Sequence, residues 1–165
     1  MCIRDRVIDY TYTPEGLPAT MVQTPAVDSL GSVRTTTYQY TPAGLLAELV
    51  SPDNITYTYS YDERSRLVKV TDNVNQSYTL SYDEYGNVVE TEQSNADNSS
   101  ARMATMSYDS RHRNTEVKLP HIGVSNSVWK WVYDAEDNTN TSMDANLNSS
   151  GYSYDAVDRL SLIHI

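Results

Sequence analysis

Tyr59-Ser60-Tyr61-Asp62-Glu63-Arg64-Ser65-Arg66-Leu67 is echoed 21 residues later by Leu80-Ser81-Tyr82-Asp83-Glu84-Tyr85-Gly86-Asn87-Val88. Each stretch reads as the end of one strand, a tight turn and the start of the next strand. Tyr57, Tyr59 and Tyr61 fall on one face of a period-two pattern, with Thr58 and Ser60 on the other. That alternation marks a half-buried strand. The aspartate suits the first position of a type I turn, where its side-chain oxygen can accept a backbone N–H further along.

The unit recurs along the chain, and a repeat outranks any local assignment. Its anchors are Tyr12, Tyr40, Tyr61, Tyr82, Tyr108, Tyr133 and Tyr154, spaced 28, 21, 21, 26, 25 and 21 residues apart. Five are followed by Asp: Asp62, Asp83, Asp109, Asp134 and Asp155. The other two read Thr13-Pro14-Glu15-Gly16 and Thr41-Pro42-Ala43-Gly44, in which proline presets the turn's φ. Gly16, Gly44 and Gly86 are three of the chain's six glycines and share one offset, where a left-handed residue lets the chain reverse. Ser65, His112, Asp137 and Asp158 occupy that offset elsewhere, so those turns are expected to be strained or slightly different.

Tyr10/Tyr12, Tyr38/Tyr40, Tyr78/Leu80/Tyr82, Met106/Tyr108, Trp129/Trp131/Tyr133 and Tyr152/Tyr154 repeat the alternation before each turn. A second strand follows, as in Arg66-Leu67-Val68-Lys69-Val70-Thr71, and ends in a polar cluster such as Asp72-Asn73-Val74-Asn75 or Ser51-Pro52-Asp53-Asn54. Leu45-Leu46-Ala47-Glu48-Leu49-Val50 could pass for helix, but in register it is a second strand. The expected fold is all-β: six or seven consecutive antiparallel hairpins in a twisted strip.

The ends read differently. One encoding of Met1-Cys2-Ile3-Arg4-Asp5-Arg6, ATG TGT ATA AGA GAC AG and a purine, has a reverse complement that translates as the closing Leu160-Ser161-Leu162-Ile163-His164-Ile165. Both resemble the transposase end sequence used in preparing sequencing libraries, so residues 1–6 and 160–165 are set aside as adaptor. The repeats then occupy 7–159, an interior piece of a longer protein. Without Arg4, Arg6 and Asp5 that piece holds ten basic and twenty-one acidic residues, a net charge of −11 against −10 for the whole chain. The one cysteine, Cys2, goes with the adaptor, which excludes a disulfide framework or a thiolate metal site. Acidity excludes a nucleic-acid partner, and no apolar run is long enough for a membrane span.

Tyr-x-Tyr-Asp-x-x-Gly-Arg/Asn-Leu/Val at about 21-residue spacing resembles the YD repeat of the rearrangement-hotspot (RHS) family, over nearly all of 7–159. Arg66, Asn87 and Arg159 hold the Arg/Asn position. The resemblance implies a stretch of β-shell wall that, with neighbouring repeats, encloses a C-terminal toxin or effector. It also implies a bacterial protein that is secreted or displayed at the cell surface. The family's cargo-releasing members typically carry an Asp-Pro-x-Gly self-cleavage segment, and this chain has no Asp-Pro pair. Its repeats therefore match the middle of such a core.

Nothing in the pattern reads as catalytic, and no cofactor or metal is expected. Seven near-equivalent Tyr-Asp pairs argue for architecture, because acid–base work needs a few distinct, positioned groups. His112 and His121 stand outside any recognised constellation, and no nucleophile elbow, P-loop or His-Glu-x-x-His occurs. Asp144, Asn146, Asn148 and Asp155 have spacings like a calcium loop, but Ser149 sits where that loop needs glycine. Asn54, Asn75, Asn98, Asn140 and Asn148 lie in glycosylation sequons, common in a chain rich in Asn, Ser and Thr. The rival reading is a surface or wall-associated adhesin whose Tyr and Trp rows bind a cell-surface glycan. The fourteen tyrosines against no phenylalanine suggest rings that pack while their hydroxyls stay hydrated.

Overall fold

The computed structural model describes residues 6–25, 31–95, 102–119 and 127–164. These contain fourteen strands, and no helix occurs among them. The strands are β1 (Val7–Tyr12), β2 (Pro18–Thr24), β3 (Arg34–Tyr40), β4 (Leu46–Val50), β5 (Thr56–Tyr61), β6 (Leu67–Asp72) and β7 (Ser77–Tyr82). They continue as β8 (Val88–Ser94), β9 (Arg102–Tyr108), β10 (Asn114–Leu119), β11 (Ser127–Tyr133), β12 (Thr139–Met143), β13 (Ser149–Tyr154) and β14 (Leu160–His164). Hydrogen-bonded neighbours follow chain order from β1 to β14, and the pairings are antiparallel. The fold is all-β and built of consecutive hairpins. Leu45–Val50 is strand, as its register requires, with β4 beginning at Leu46.

Contacts divide the chain into two units, Met1–Tyr78 and Thr79–Ile165. Within each, the repeat anchors end the odd-numbered strands and the turns reverse the chain. In the first unit Tyr38 pairs with Leu49 and Tyr59 with Val70. In the second, Met106 pairs with Val117, Trp131 with Ser142 and Tyr152 with Ile163. Beyond β1 and Tyr78, the anchor-bearing face is half-buried, whereas Thr58, Ser60, Ser81, Ser107, Lys130, Val132 and Ser153 on the other are exposed. No hydrophobic side chain among the described residues is fully buried, and Thr36, at 6 % exposure, is the one buried polar residue. Each unit is thus a single layer, held by strand pairing and cross-strand contacts rather than by a second layer packed on it.

Six of the anchor hairpins carry the same irregularity. Thr11 pairs with Thr20 and Tyr12 with Pro18, which leaves Ala19 over. The same one-residue slip leaves over Ala47, Val68, Thr115, Asn140 and Ser161. Such a β-bulge bends its strand and turns backbone groups out of the ladder. Thr115 and Ser161 use their hydroxyls there, donating to the carbonyls of Ser107 (3.2 Å) and Ser153 (3.0 Å).

The segment set aside at 160–165 forms β14 over Leu160–His164 and takes the same bulge, because the Asp155 turn delivers it alongside the hydrogen-bonding edge of β13. The turns with non-glycine residues at the left-handed position keep the same hydrogen bonds, with the side chain held in a conformation that strains it. Ser65, His112, Asp137 and Asp158 hold φ of 61°, 62°, 73° and 58°, beside 82°, 78° and 97° for Gly16, Gly44 and Gly86. Residues 1–5, and with them Cys2, lie outside the described residues, as do His121 and Asn98.

Candidate functional site

One five-residue turn serves both ends of the strands. In the anchor turns the N–H of Thr13, Thr41, Asp62, Asp83, Asp109, Asp134 or Asp155 donates to the carbonyl four residues on, at 2.7–3.0 Å. The residue three on, left-handed, donates back to the first carbonyl at 2.9–3.4 Å. Ser51, Asp72 and Asp144 open identical turns at the opposite end, with Asn54, Asn75 and Leu147 left-handed. This is a type I turn closed by a left-handed residue, a common hairpin loop. The return turns were legible as Ser51…Asn54 and Asp72…Asn75, since asparagine tolerates that conformation. Repeats 21 residues long are those closed by these tight return turns. In the longer ones the connection falls in residues 26–30, 96–101 and 120–126, outside the described residues.

The turn aspartate organises its own loop. Asp62 Oδ1 accepts the N–H groups of Arg64 and Arg66, both at 2.9 Å, and Oδ2 accepts Arg66 Nε at 2.7 Å. Asp109 holds Arg111, Arg113 and Arg113 Nε in the same way, and Asp155 holds Val157, Arg159 and Arg159 Nε. Asp83 and Asp134 use Asn87 and Asn138 instead of arginine. Where Thr13 or Thr41 stands, the hydroxyl takes the backbone bond alone, from Leu17 or Leu45. These bonds favour the ionised form. The backbone N–H of Arg66 foremost, then its guanidinium, lowers the Asp62 pKa, and the side chains of Arg113 and Arg159 lead the same effect at Asp109 and Asp155. At Asp83 partial desolvation opposes the shift and is outweighed by the Asn87 side chain and nearby N–H groups.

The anchor tyrosines fasten each repeat to the one before. Tyr40 Oη donates to the Pro18 carbonyl at 2.9 Å and Tyr61 to Leu46 at 2.8 Å. Tyr108 donates to Val88 at 2.8 Å, Tyr133 to Asn114 at 2.7 Å and Tyr154 to Thr139 at 3.0 Å. In all five the accepting residue is the sixth after the preceding anchor, and Pro18, Leu46, Asn114 and Thr139 stand at the bulge. The bulge frees a carbonyl and the next tyrosine satisfies it. This corrects the expectation of hydrated hydroxyls: at these anchors the hydroxyl is spent on backbone, a bond that phenylalanine would lose. Tyr82 also ends its strand, β7, and Tyr12 ends β1 with 61 % of its surface exposed. Along β5, burial first and then neighbouring Tyr61 and Tyr57 raise the Tyr59 pKa, as three phenols on one face require.

A second set of links joins successive turns in the second unit. Asn87 Nδ2 lies 3.1 Å from His112 Nδ1, and the His112 ring sits 4.5 Å from that of Tyr85. Arg113 reaches Asp137 Oδ1 at 2.6 Å and the Asp134 carbonyl at 3.1 Å, with its guanidinium 4.6 Å over the Tyr133 ring. Arg111 also bonds Asp137, at 2.8 Å. Asn138 Nδ2 donates to Asp158 Oδ1 at 3.1 Å. Sequence reasoning missed these contacts because their partners lie 20–26 residues apart.

The residues once compared with a calcium loop are committed elsewhere. Asp144 accepts the Asn146 and Asn148 N–H groups and Asn148 Nδ2, so Asn148 turns a donor towards it. Asp155 serves the next turn, at the far end of β13. Among the described residues no three His, Cys, Asp or Glu side chains stand close enough to hold a metal. An open groove of about 710 Å³ lies beside the first two anchor turns, lined by Thr13, Glu15, Leu17, Tyr40 and Thr41. Glu15 is the one carboxylate in its lining, beside the phenols of Tyr38 and Tyr40.

No curated protein matches the chain. Among solved structures it is similar to the TcdB2-TccC3-TEV crystal structure, with 14 % identity and a TM-score of 0.74 over 91 % of this chain and 8 % of that one. TcdB2-TccC3 without its hypervariable C-terminal region matches at 13 % identity and a TM-score of 0.72, covering 91 % of this chain and 8 % of the other. The Photorhabdus luminescens Tc holotoxin pore, carrying a TccC3 mutation, matches at 13 % and 0.71, covering 95 % and 9 %. The likeness is one of fold, and the chain spans less than a tenth of the length of those chains. The family model RHS Repeat matches residues 40–75 and 61–100. Residues 40–100 are thus RHS repeats, and the same turn, bulge and tyrosine bond recur on both sides of that span.

Proposed function

We propose that these repeats are passive wall: part of a β-shell that, in the full protein, encloses a C-terminal toxin or effector during secretion and delivery. The observation that carries this is a single-layer sheet whose titratable turn residues are consumed in bonds within and between repeats. Such a sheet gains extent by adding hairpins and does no chemistry itself. The similarity to TcdB2-TccC3, one form of which is described by its missing hypervariable C-terminal region, supports a cargo at that end. A bacterial, secreted or surface-displayed protein follows from the same reading.

The test begins with the full coding sequence. Expressed whole, the protein should protect its C-terminal domain from protease until the repeats are unfolded. Equal digestion rates for that domain in the intact protein and on its own would overturn the proposal. The adhesin reading draws on one observation: Trp129, Trp131 and Tyr133 share a face of β11 and are only half-buried. Micromolar binding on a glycan array, lost in Trp129→Ala and Trp131→Ala, would favour it.

A further inference from the structure

We propose that two positions form a pairing code between neighbouring repeats: the residue just after the left-handed turn position, and the left-handed residue of the next repeat. Asn87, Arg113 and Asn138 hold the first position, and His112, Asp137 and Asp158 hold the second. In all three junctions a side-chain donor of one repeat meets a side-chain acceptor of the next, at 3.1, 2.6 and 3.1 Å. The acceptors stand where glycine would be easiest, at φ of 62°, 73° and 58°. A side chain kept in that conformation needs a compensating contact, and the preceding repeat supplies it.

The first unit shows the apolar form of the code. Leu17 holds the donor position, and the next left-handed residue is Gly44, whose added Cβ would meet Leu17 Cδ1 at 3.8 Å. Leu45 is likewise followed by Ser65, which is too short to repeat the polar link. Arg66 is followed by Gly86, which has no side chain to accept, so the polar form starts at Asn87. A leucine thus takes a small neighbour, while asparagine or arginine in the second unit takes an acceptor. The code would decide which repeats can stand side by side, a property separate from what the wall encloses.

The test is a double-mutant cycle on the 165-residue chain, read by hydrogen exchange of the peptide over residues 155–159 and corrected for intrinsic rates. Asp158→Gly relieves the backbone yet removes the acceptor, so exchange should rise several-fold. In an Asn138→Leu background the same change should leave exchange unchanged or slow it. If Asp158→Gly slows exchange equally in both backgrounds, the aspartate is mere strain and the code fails. Should either variant not accumulate, Asn87→Leu with His112→Gly, read over residues 109–113, poses the same question with the same two outcomes.

Discussion

A tyrosine hydroxyl and a left-handed φ carry much of the residue-scale argument. The phenols of Tyr61 and Tyr133 each combine a ring on a half-buried face with a donor to a carbonyl at the bulge. Tyr61→Phe and Tyr133→Phe should each lower stability by about 1 kcal/mol, the usual net worth of such a bond. Tyr85→Phe should change little, since Tyr85 is 69 % exposed. Chemical denaturation of the three variants checks the contrast. Ser65 and Leu147 sit at φ of 61° and 67°, and nothing in the structure explains the leucine. Ser65→Gly or Leu147→Gly should therefore stabilise by about 1 kcal/mol, measured the same way. The tyrosines and the turn offset were legible in the sequence because they recur. The destination of the hydroxyl was not, because the accepting carbonyl is a property of the bulge and carries no side-chain signal.

At the scale of the element, the turn is a small electrostatic device. Its aspartate accepts two N–H groups and, in three repeats, clamps an arginine. Because the folded pKa values of Asp62, Asp109 and Asp155 are lowered, the folded state binds fewer protons than the unfolded one. Stability from these groups is complete above the unfolded value of about 3.9 and is lost as pH falls through their folded values. Thermal melts followed by circular dichroism should show a falling midpoint below about pH 4. The triple variant Asp62→Asn, Asp109→Asn, Asp155→Asn should be less stable at neutral pH and flatter across that range. The strand and turn alternation was readable from five-residue windows. That both ends of the strands use the same turn was harder to see, because Ser51, Asp72 and Asp144 lack the preceding Tyr-x-Tyr that marks the anchor turns.

At the largest scale, each unit is a sheet of one layer with no second layer over it and with a terminal strand whose edge is unpaired. Every residue of β1 and of β14 is exposed, and these strands end the order. Such edges template pairing with another chain, and the net charge of −10 opposes it only in part. Sedimentation should show self-association of the isolated chain that rises with concentration, reduced by Ile8→Lys and Ile163→Lys. A sharp, cooperative, monomeric unfolding transition would contradict this.

What the chain's own letters determined is local: seven turns, the strands between them and hence the order of hairpins. Those signals lie within five to seven residues of one another, where periodicity and turn chemistry act. What only the tertiary structure decided is how repeats hold each other. The tyrosine-to-carbonyl bonds span 15–22 residues and the turn-to-turn links 20–26. Pairing across such distances depends on strand register and on where each bulge turns a carbonyl, and both exist only once the strands lie side by side.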